Sequence, residues 1–167
     1  MKLTTKGRYA VQAMADIAAH AGGGEGAGAL VSLPDVAVRQ GISAGYLEQL
    51  FAKLRRAGLV DSVRGVSGGY RLARAAGEIR ISEIVDAVDE EIHTTACNGS
   101  AVGCQGSGAR CLTHDLWEEL GRQIEMFLAA ASLEDVIEKR VVGMAAVNAP
   151  TDGASKKREE WKLGAAE

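Results

Sequence analysis

The amino-acid sequence predicts a mainly α-helical protein that contains one small β-hairpin. Segments with apolar residues at helical spacing, many of them alanines, cover much of the 167 residues, and glycines separate these segments. One region, residues 59–72, instead holds two short β-rich segments around a glycine-rich turn. The hydrophobic content of 47% is enough for a real core, and the aromatic content of 4% means that aliphatic side chains must build most of it.

The first two helices are predicted from apolar periodicity and capping residues. A first helix ends where the glycines at 22–24 interrupt the helical spacing of apolar residues. Ser32 is expected to cap a second, short helix, because Asp35 follows three residues later and Pro34 suits the first turn. Gly41 is expected to end that helix.

The third helix is predicted to begin after Ser43, which is a good N-cap residue, and to end at Gly58. Its apolar residues form one stripe: Leu47, Leu50, Phe51 and Leu54. The residues expected to face outward are polar, basic or small: Gly45, Glu48, Gln49, Ala52, Lys53 and Arg56. Two short helices around a glycine, the second with a polar and basic face, indicate a helix-turn-helix motif.

The two β-rich segments, residues 59–63 and 70–72, are expected to pair through the turn at 64–69. A helix-turn-helix followed by such a hairpin is a winged helix. A short helix capped by Ser82 is predicted next.

A helix of roughly five turns is predicted after His114. Its apolar residues share one broad face: Leu116, Trp117, Leu120, Ile124, Phe127, Leu128 and Ala131. A small winged helix cannot cover this face alone, so we expect the helix to pair with its copy in a homodimer.

The net charge of −3 does not by itself indicate a nucleic-acid partner, but the basic residues are unevenly distributed. Residues 39–74 contain seven Lys or Arg and two acidic residues, a local charge of +5. The start of the chain has no apolar signal core, and no apolar run is long enough to span a bilayer. With three cysteines, an odd number, we expect a cytoplasmic protein whose thiols are available for metal binding.

All three cysteines lie in one glycine-rich stretch and are followed by a histidine: Cys97, Cys104, Cys111 and His114. Thiolate and imidazole are ligands that iron and zinc prefer, and four such donors make one full ligand set. Each gap between cysteines holds six residues, which suits a pair of irons better than the short Cys-x2-Cys spacing of structural zinc sites.

Several motifs make the chain similar to the bacterial winged-helix iron-sulfur transcription regulators: residues 1–11, 40–43, 46–51, 63–65, 68–70 and 111–114. The resemblance covers roughly residues 1–142. It implies a homodimeric regulator that binds a [2Fe-2S] cluster through Cys97, Cys104, Cys111 and His114. It also implies that the regulator controls, by repression, genes for iron-sulfur cluster assembly, and that cluster-assembly proteins donate the cluster. The gaps between cysteines are one residue longer than the five usual in that family, and Val66-Ser67 replaces a common Pro-Gly in the wing.

On this basis the chain divides into four parts. They are a winged helix-turn-helix DNA-binding domain at 1–92, a cluster-binding loop at 93–114, dimerisation helices at 115–147 and a disordered tail at 148–167.

The third helix is expected to read double-stranded DNA in the major groove, where Gln49 suits adenine and Glu48 can accept from cytosine N4. Arg64 is placed for the minor groove. The remaining predicted contacts, several of them to phosphates, are Lys6, Arg8, Tyr9, Ser43, Tyr46, Lys53, Arg55, Arg56 and Gly65.

Other interpretations remain open for these residues. The cysteines can be small buried hydrophobes or the ligands of a structural zinc, and the basic residues can be an ordinary solvated helix face. The alternative function is a zinc-stabilised or thiol-sensing DNA-binding regulator. An electron-transfer or redox enzyme is disfavoured, because the chain has no Gly-x-Gly-x-x-Gly fingerprint after a strand. We expect no enzymatic activity and no membrane partner.

Overall fold

A computed structural model describes residues 5–21, 29–65, 67–88, 94–95, 97, 104 and 109–141. The helices are α1 (Thr5–His20), α2 (Leu33–Gln40), α3 (Ala44–Arg56), α4 (Ile81–Ala87), α5 (His114–Ala130) and α6 (Leu133–Ile137). The strands are β1 (Val60–Val63) and β2 (Gly69–Leu72), and a 3-10 turn covers Ala76–Glu78. Several predicted features lie outside the described residues: the tail, residues 142–147 of the dimerisation segment, Val66 of the wing, the glycines at 22–24, and residues 93, 96, 98–103 and 105–108 of the cluster-binding loop.

The capping predictions for the helix-turn-helix are confirmed. The Ser32 hydroxyl accepts a hydrogen bond from the backbone N–H of Asp35 and donates one to its carboxylate at 2.6 Å. Gly41 ends α2 with a φ of 65°, a backbone conformation that glycine adopts without strain. The Ser43 hydroxyl accepts from the N–H of Tyr46 and starts α3.

The predicted hairpin is also confirmed, and it has a third partner that the sequence analysis missed. Strands β1 and β2 pair antiparallel with Val60 opposite Leu72 and Val63 opposite Gly69. The backbone of Val31, just before α2, exchanges two hydrogen bonds with Tyr70 of β2, at 2.9 and 2.8 Å. The wing is thereby tied to the helix-turn-helix on one side.

The core lies between α1, α3, α4 and the base of the wing. It is mainly aliphatic, as the composition predicts, and Phe51 packs edge-on against Tyr70 with ring centroids 4.9 Å apart. Leu133 of α6 is fully buried in the same core. The segment after α5 therefore folds back onto the winged helix.

A buried carboxylate joins α1 to α2. Asp16 accepts three hydrogen bonds from Nε and Nη2 of Arg39, the shortest at 2.6 Å, and one from Gln40 at 2.7 Å. Burial raises the pKa of Asp16, but the hydrogen bonds from Arg39 and Gln40 outweigh it and hold the pKa below its usual value. This network fixes how α2 sits on α1.

The predicted start of α4 at Ser82 is wrong. The N-cap is Arg80, and the helix begins at Ile81. The Glu83 carboxylate accepts the backbone N–H of Arg80 at 2.8 Å and satisfies the helix start. The helix start is therefore marked by a first-turn carboxylate that bonds to the N-cap backbone, and Ser82 lies inside the helix.

Helix α5 is the predicted long helix, and it begins at His114 itself. It packs against α4, and its end is anchored to the winged helix: Ile81 donates its N–H to the Ala131 carbonyl, and Arg80 donates to the carbonyl of Ala130. Among the described residues, no helix combines the length and the apolar character needed to cross a membrane.

Candidate metal centre and nucleic-acid interface

The imidazole of His114 lies at the N-terminus of α5 with only 8% of its side chain exposed. Its Nδ1 faces the thiols of the cysteine stretch, and its Nε2 faces Glu118 one turn along the helix. A rigid helix therefore holds the one nitrogen donor of the predicted ligand set.

Two of the three predicted thiols converge on this ring. The Sγ of Cys104 is 3.0 Å from His114 Nδ1, and the Sγ of Cys97 is 3.7 Å from it. The three donor atoms all lie within 4.8 Å of one another. Residues 97, 104 and 114, which are far apart in the sequence, thus form one cluster of donors that we call the ligand cluster.

Cys111, the fourth predicted ligand, is not one of the three residues whose donor atoms lie within 4.8 Å of one another. Its thiol contacts the Thr113 hydroxyl at 3.6 Å and interacts with the thiol of Cys104. Hydrogen bonds from Thr113 and Cys104 lower the pKa of Cys111. The Cys111 backbone N–H lowers the pKa of Cys104, but burial and the neighbouring thiols of Cys97 and Cys111 raise it more, so it lies above its ordinary value.

A cavity of about 260 Å³ adjoins these donors. It is lined by Cys104, Cys111 and His114, together with Thr95 and the half-exposed ring of Trp117. Two thiols and one imidazole line the cavity, and the third thiol, of Cys97, lies 3.7 Å from that imidazole. Together they form a donor set whose chemistry fits an iron-sulfur or zinc centre. The residues present therefore fit the group that the resemblance implies.

A close contact between Thr94 and Gly121 seats the start of the cysteine stretch on α5. Gly121 is buried, and a Cβ at that position would lie 2.5 Å from the hydroxyl oxygen of Thr94. Only a glycine lets the chain pass this close to the helix without displacing it.

Sequence reasoning missed four residues that surround the ligand cluster: Thr94, Trp117, Glu118 and Gly121. The spacing of four between His114 and Glu118 was a signal available in the sequence, because such pairs share a helix face. The contact of Thr94 with Gly121 had no such signal, since it depends on how the chain crosses α5.

The predicted reading face of α3 is solvent-accessible. Glu48, Gln49 and Arg56 are exposed, and Lys53 is half-buried. Arg55, also exposed, donates to the Ser62 hydroxyl of the wing at 3.2 Å. The exposed side chains of α3 thus carry both the hydrogen-bonding groups and the charges that duplex DNA requires.

The start of α1 lies beside the start of α3. The rings of Tyr9 and Tyr46 make an edge-on contact with centroids 6.1 Å apart. Arg8 is exposed and Lys6 is half-buried in the same part of α1. The structure therefore brings these predicted contacts together with Ser43, the N-cap of α3.

At the wing, Arg64 and Gly65 are exposed directly after β1. Gly65 has a φ of 124° and accepts a hydrogen bond from the Gly68 N–H at 3.0 Å, which closes the turn. Arg64 is thus held at the projecting end of the hairpin.

Comparisons with known proteins identify a family of transcriptional regulators. A model of the Rrf2 family, described as an iron-dependent transcriptional regulator, matches residues 3–139. The HTH-type transcriptional regulator IscR of Xenorhabdus nematophila is 52% identical over 142 residues, which are 85% of this chain and 82% of that protein. IscR of Aliivibrio salmonicida is 54% identical over 137 residues, or 82% of this chain and 77% of that protein.

Solved structures of transcriptional regulators are also similar to this chain. T. potens IscR is 38% identical with a TM-score of 0.64, and the match covers 84% of this chain and 88% of that one. CymR, the global cysteine regulator of B. subtilis, is 28% identical with a TM-score of 0.64, and the match covers 83% of this chain and 98% of that one. These relatives are regulators and not enzymes, and they confirm the predicted helical fold with a hairpin wing.

Proposed function

The chain belongs to the Rrf2 family of iron-dependent transcriptional regulators, and from that premise we propose that it senses iron-sulfur cluster status through a [2Fe-2S] cluster. Cys97, Cys104, Cys111 and His114 hold the cluster, and the regulator represses genes for iron-sulfur cluster assembly. The observation that carries this proposal is the convergence of two thiols on Nδ1 of His114 at the start of α5.

The spacing and chemistry of the donors favour a two-iron cluster over zinc. Gaps of six residues between cysteines give a wide loop, whereas structural zinc sites use closely spaced pairs. Three thiolates and one imidazole also supply two ligands for each of two irons.

When bound, the cluster supplies a centre that iron shortage or oxidants remove. The residues of this chain couple the occupancy of the cluster site to the winged helix. The thiols of Cys97, Cys104 and Cys111 lose their protons and act as ligands, so the cysteine stretch is held against the cavity. His114 fixes that stretch to α5, and α5 is anchored to the winged helix through Arg80.

The DNA-binding half of the proposal rests on α3 and the wing. Gln49 and Glu48 read base edges in the major groove, and Lys53, Arg55 and Arg56 contact phosphates. Arg64 with Gly65 enters the minor groove. Lys6, Arg8, Tyr9, Ser43 and Tyr46 form the adjoining contacts at the helix starts.

Two copies of the chain form the working regulator, which acts in the cytoplasm and receives its cluster from cluster-assembly proteins. The exposed apolar residues of α5 support the homodimer. Leu116, Met126 and Phe127 are exposed by 62, 46 and 42%.

The test is anaerobic purification followed by iron and acid-labile sulfide analysis, visible spectroscopy and an operator-binding titration. We expect a coloured protein with two irons and two sulfides for each chain, and specific DNA binding. The Cys104→Ala variant should lose the colour but keep its helical circular dichroism, because the thiol lies outside the hydrophobic core. A colourless zinc protein, or one without iron and sulfide even after reconstitution, would refute the proposal.

A second candidate function is thiol sensing without a metal. It is favoured by the interaction of Cys104 with both other thiols. The same samples decide between the two functions. A metal-free protein whose operator binding changes on mild oxidation would support thiol sensing instead.

A further inference from the structure

Glu118 completes a line of polar groups that runs through the imidazole of His114. One turn separates the two residues on α5, so their side chains share one face of the helix. Glu118 Oε1 lies 3.9 Å from His114 Nε2, on the side of the ring opposite to the thiols. The ring therefore has a thiol at one nitrogen and a carboxylate at the other.

The carboxylate is itself held from the far side. Arg110, which directly precedes Cys111, has its Nη1 at 3.4 Å from Glu118 Oε2 and at 3.2 Å from Asp115. The guanidinium engages Oε2, so Oε1 is left to face the imidazole. The line thus runs from the cysteine stretch through Arg110 and Glu118 to His114.

We propose that Glu118 is a positioning residue for the metal centre, which it serves by holding the proton of His114 on Nε2. A neutral imidazole carries one proton, and the group facing one nitrogen determines which nitrogen keeps it. A carboxylate beside Nε2 stabilises the proton there electrostatically at 3.9 Å, without a formed hydrogen bond. Nδ1 then presents its lone pair to the ligand cluster.

This inference rests on the proposed function, because it assigns Nδ1 of His114 as the ligand atom. Carboxylates beside metal-binding histidines commonly orient the ring and raise its basicity. Glu118 does so from the solvent side, since 58% of its side chain is exposed. Its removal should therefore change the metal centre and leave the core of the winged helix intact.

The matched control is Glu119, the next residue on α5. Its carboxylate binds Arg122 and accepts a hydrogen bond from Gln123 at 2.7 Å. Glu119 carries the same charge one residue further along α5. Glu118, in contrast, faces the imidazole ring of His114.

The first experiment uses metal-free protein and does not depend on any cluster. The tautomer of His114 is measured by ¹⁵N NMR well above the ordinary imidazole pKa of ~6.5. The measurement is made in a Cys104→Ala background, so that the nearest thiol does not also fix the proton. We expect Glu118→Ala to lower the Nε2–H fraction and Glu119→Ala to leave it unchanged. His20 serves as an internal reference in the same spectra.

The second experiment uses reconstituted protein with all its cysteines. Glu118→Gln should raise the reduction potential of the centre, because it removes a negative charge beside a ligand, and should speed metal loss to a chelator about tenfold. Glu119→Gln should change neither. Equal Nε2–H fractions in the two alanine variants would overturn the role of Glu118. A protein that cannot be reconstituted would refute the proposed function and would leave the NMR result to decide on Glu118.

Discussion

At the scale of single residues, Glu48 is the least expected member of the proposed DNA-reading face. It is exposed on α3 among basic side chains, where a carboxylate is repelled by nearby phosphates. Such a residue can still favour one operator over another, since it accepts a hydrogen bond from cytosine N4 and repels bases that offer only acceptors.

We predict that Glu48→Ala broadens the set of operators bound, because the repulsion that disfavours other sequences is removed. At the base pair that Glu48 contacts, discrimination between cytosine and the other bases should fall by about 1–3 kcal/mol. Binding to a panel of operators with single base changes measures this effect. Glu125→Ala, on the exposed side of α5, is the control and should keep the original ranking. Unchanged ranking in Glu48→Ala would remove Glu48 from the reading surface.

The residue scale also shows what a sequence can predict about a metal centre. Cysteine and histidine are residue types that commonly bind metals. Cys97, Cys104 and His114 could therefore be predicted as ligands from the sequence alone. Thr94 and Glu118 are common residue types, and their importance comes from the atoms they face. The contact of Thr94 requires the path of the chain across α5, which no local pattern encodes, whereas the i, i+4 spacing of Glu118 from His114 is a local pattern.

At the scale of elements, the cysteine stretch depends on how closely it can approach α5. The glycine at 121 permits that approach, because a Cβ there would meet Thr94 Oγ1 at 2.5 Å and its Cβ at 3.5 Å. A distance of 3.5 Å to the Thr94 Cβ is an ordinary contact, whereas 2.5 Å to the hydroxyl oxygen is too short. Removal of the Thr94 hydroxyl and methyl should therefore be enough to accommodate an alanine.

We predict that Gly121→Ala lowers stability by about 1–3 kcal/mol through overpacking and weakens cluster retention, because Cys97 lies three residues after Thr94. Thr94→Ala in the same chain should restore cluster retention, and a double-mutant cycle should show a favourable coupling. Urea unfolding and the rate of cluster loss are the measurements. Gly45→Ala on α3 is the control, since its added Cβ meets nothing within 4 Å. Additive effects would show that the two residues do not touch.

The hydrogen bonds that Asp16 accepts between α1 and α2 predict that the stability of the fold depends on pH. The hydrogen bonds from Arg39 and Gln40 hold the pKa of Asp16 below its value in the unfolded chain. A lowered folded-state pKa means that the stabilisation is present above the unfolded pKa of ~3.9 and is lost as the pH falls through the folded value.

Asp16→Asn should therefore reduce the free energy of unfolding by about 1–3 kcal/mol at neutral pH, and the difference from the unmodified chain should shrink as the pH falls below ~3.9. Urea unfolding at a series of pH values measures both effects. Asp86→Asn, an exposed aspartate of α4, is the control and should behave like the unmodified chain. A difference that is independent of pH would contradict the role of the Asp16 charge.

Elements with local signals were predicted well, and those set by distant contacts were not. Ser32, Gly41 and Ser43 specify helix ends through their own side chains or backbone freedom. The start of α4 was misplaced because Glu83 reaches back to the backbone of Arg80. The pairing of Val31 with Tyr70 joins segments 39 residues apart, and periodicity carries no information about it.

At the scale of the whole molecule, the single apolar face predicted for α5 divides into two parts. Leu128 and Ala131 pack against the core of their own chain. Leu116 and Phe127, together with Met126, are exposed by 42% or more. One part of the face fastens α5 to the winged helix, and the other is exposed, which is where the proposed homodimer would form.

We predict that Phe127→Glu converts the dimer to a monomer and lowers operator affinity by at least tenfold, because a half-site bound alone loses the contacts of its partner. Size-exclusion chromatography with light scattering gives the mass, and circular dichroism shows whether the fold is kept. Ala129→Glu is the matched control. It places the same charge on the same helix, at helical spacing with the exposed charged residues Glu118, Arg122 and Glu125, and should remain dimeric. If Phe127→Glu also stayed dimeric, the two subunits would have to meet through another surface, and the exposed part of α5 would need a different partner.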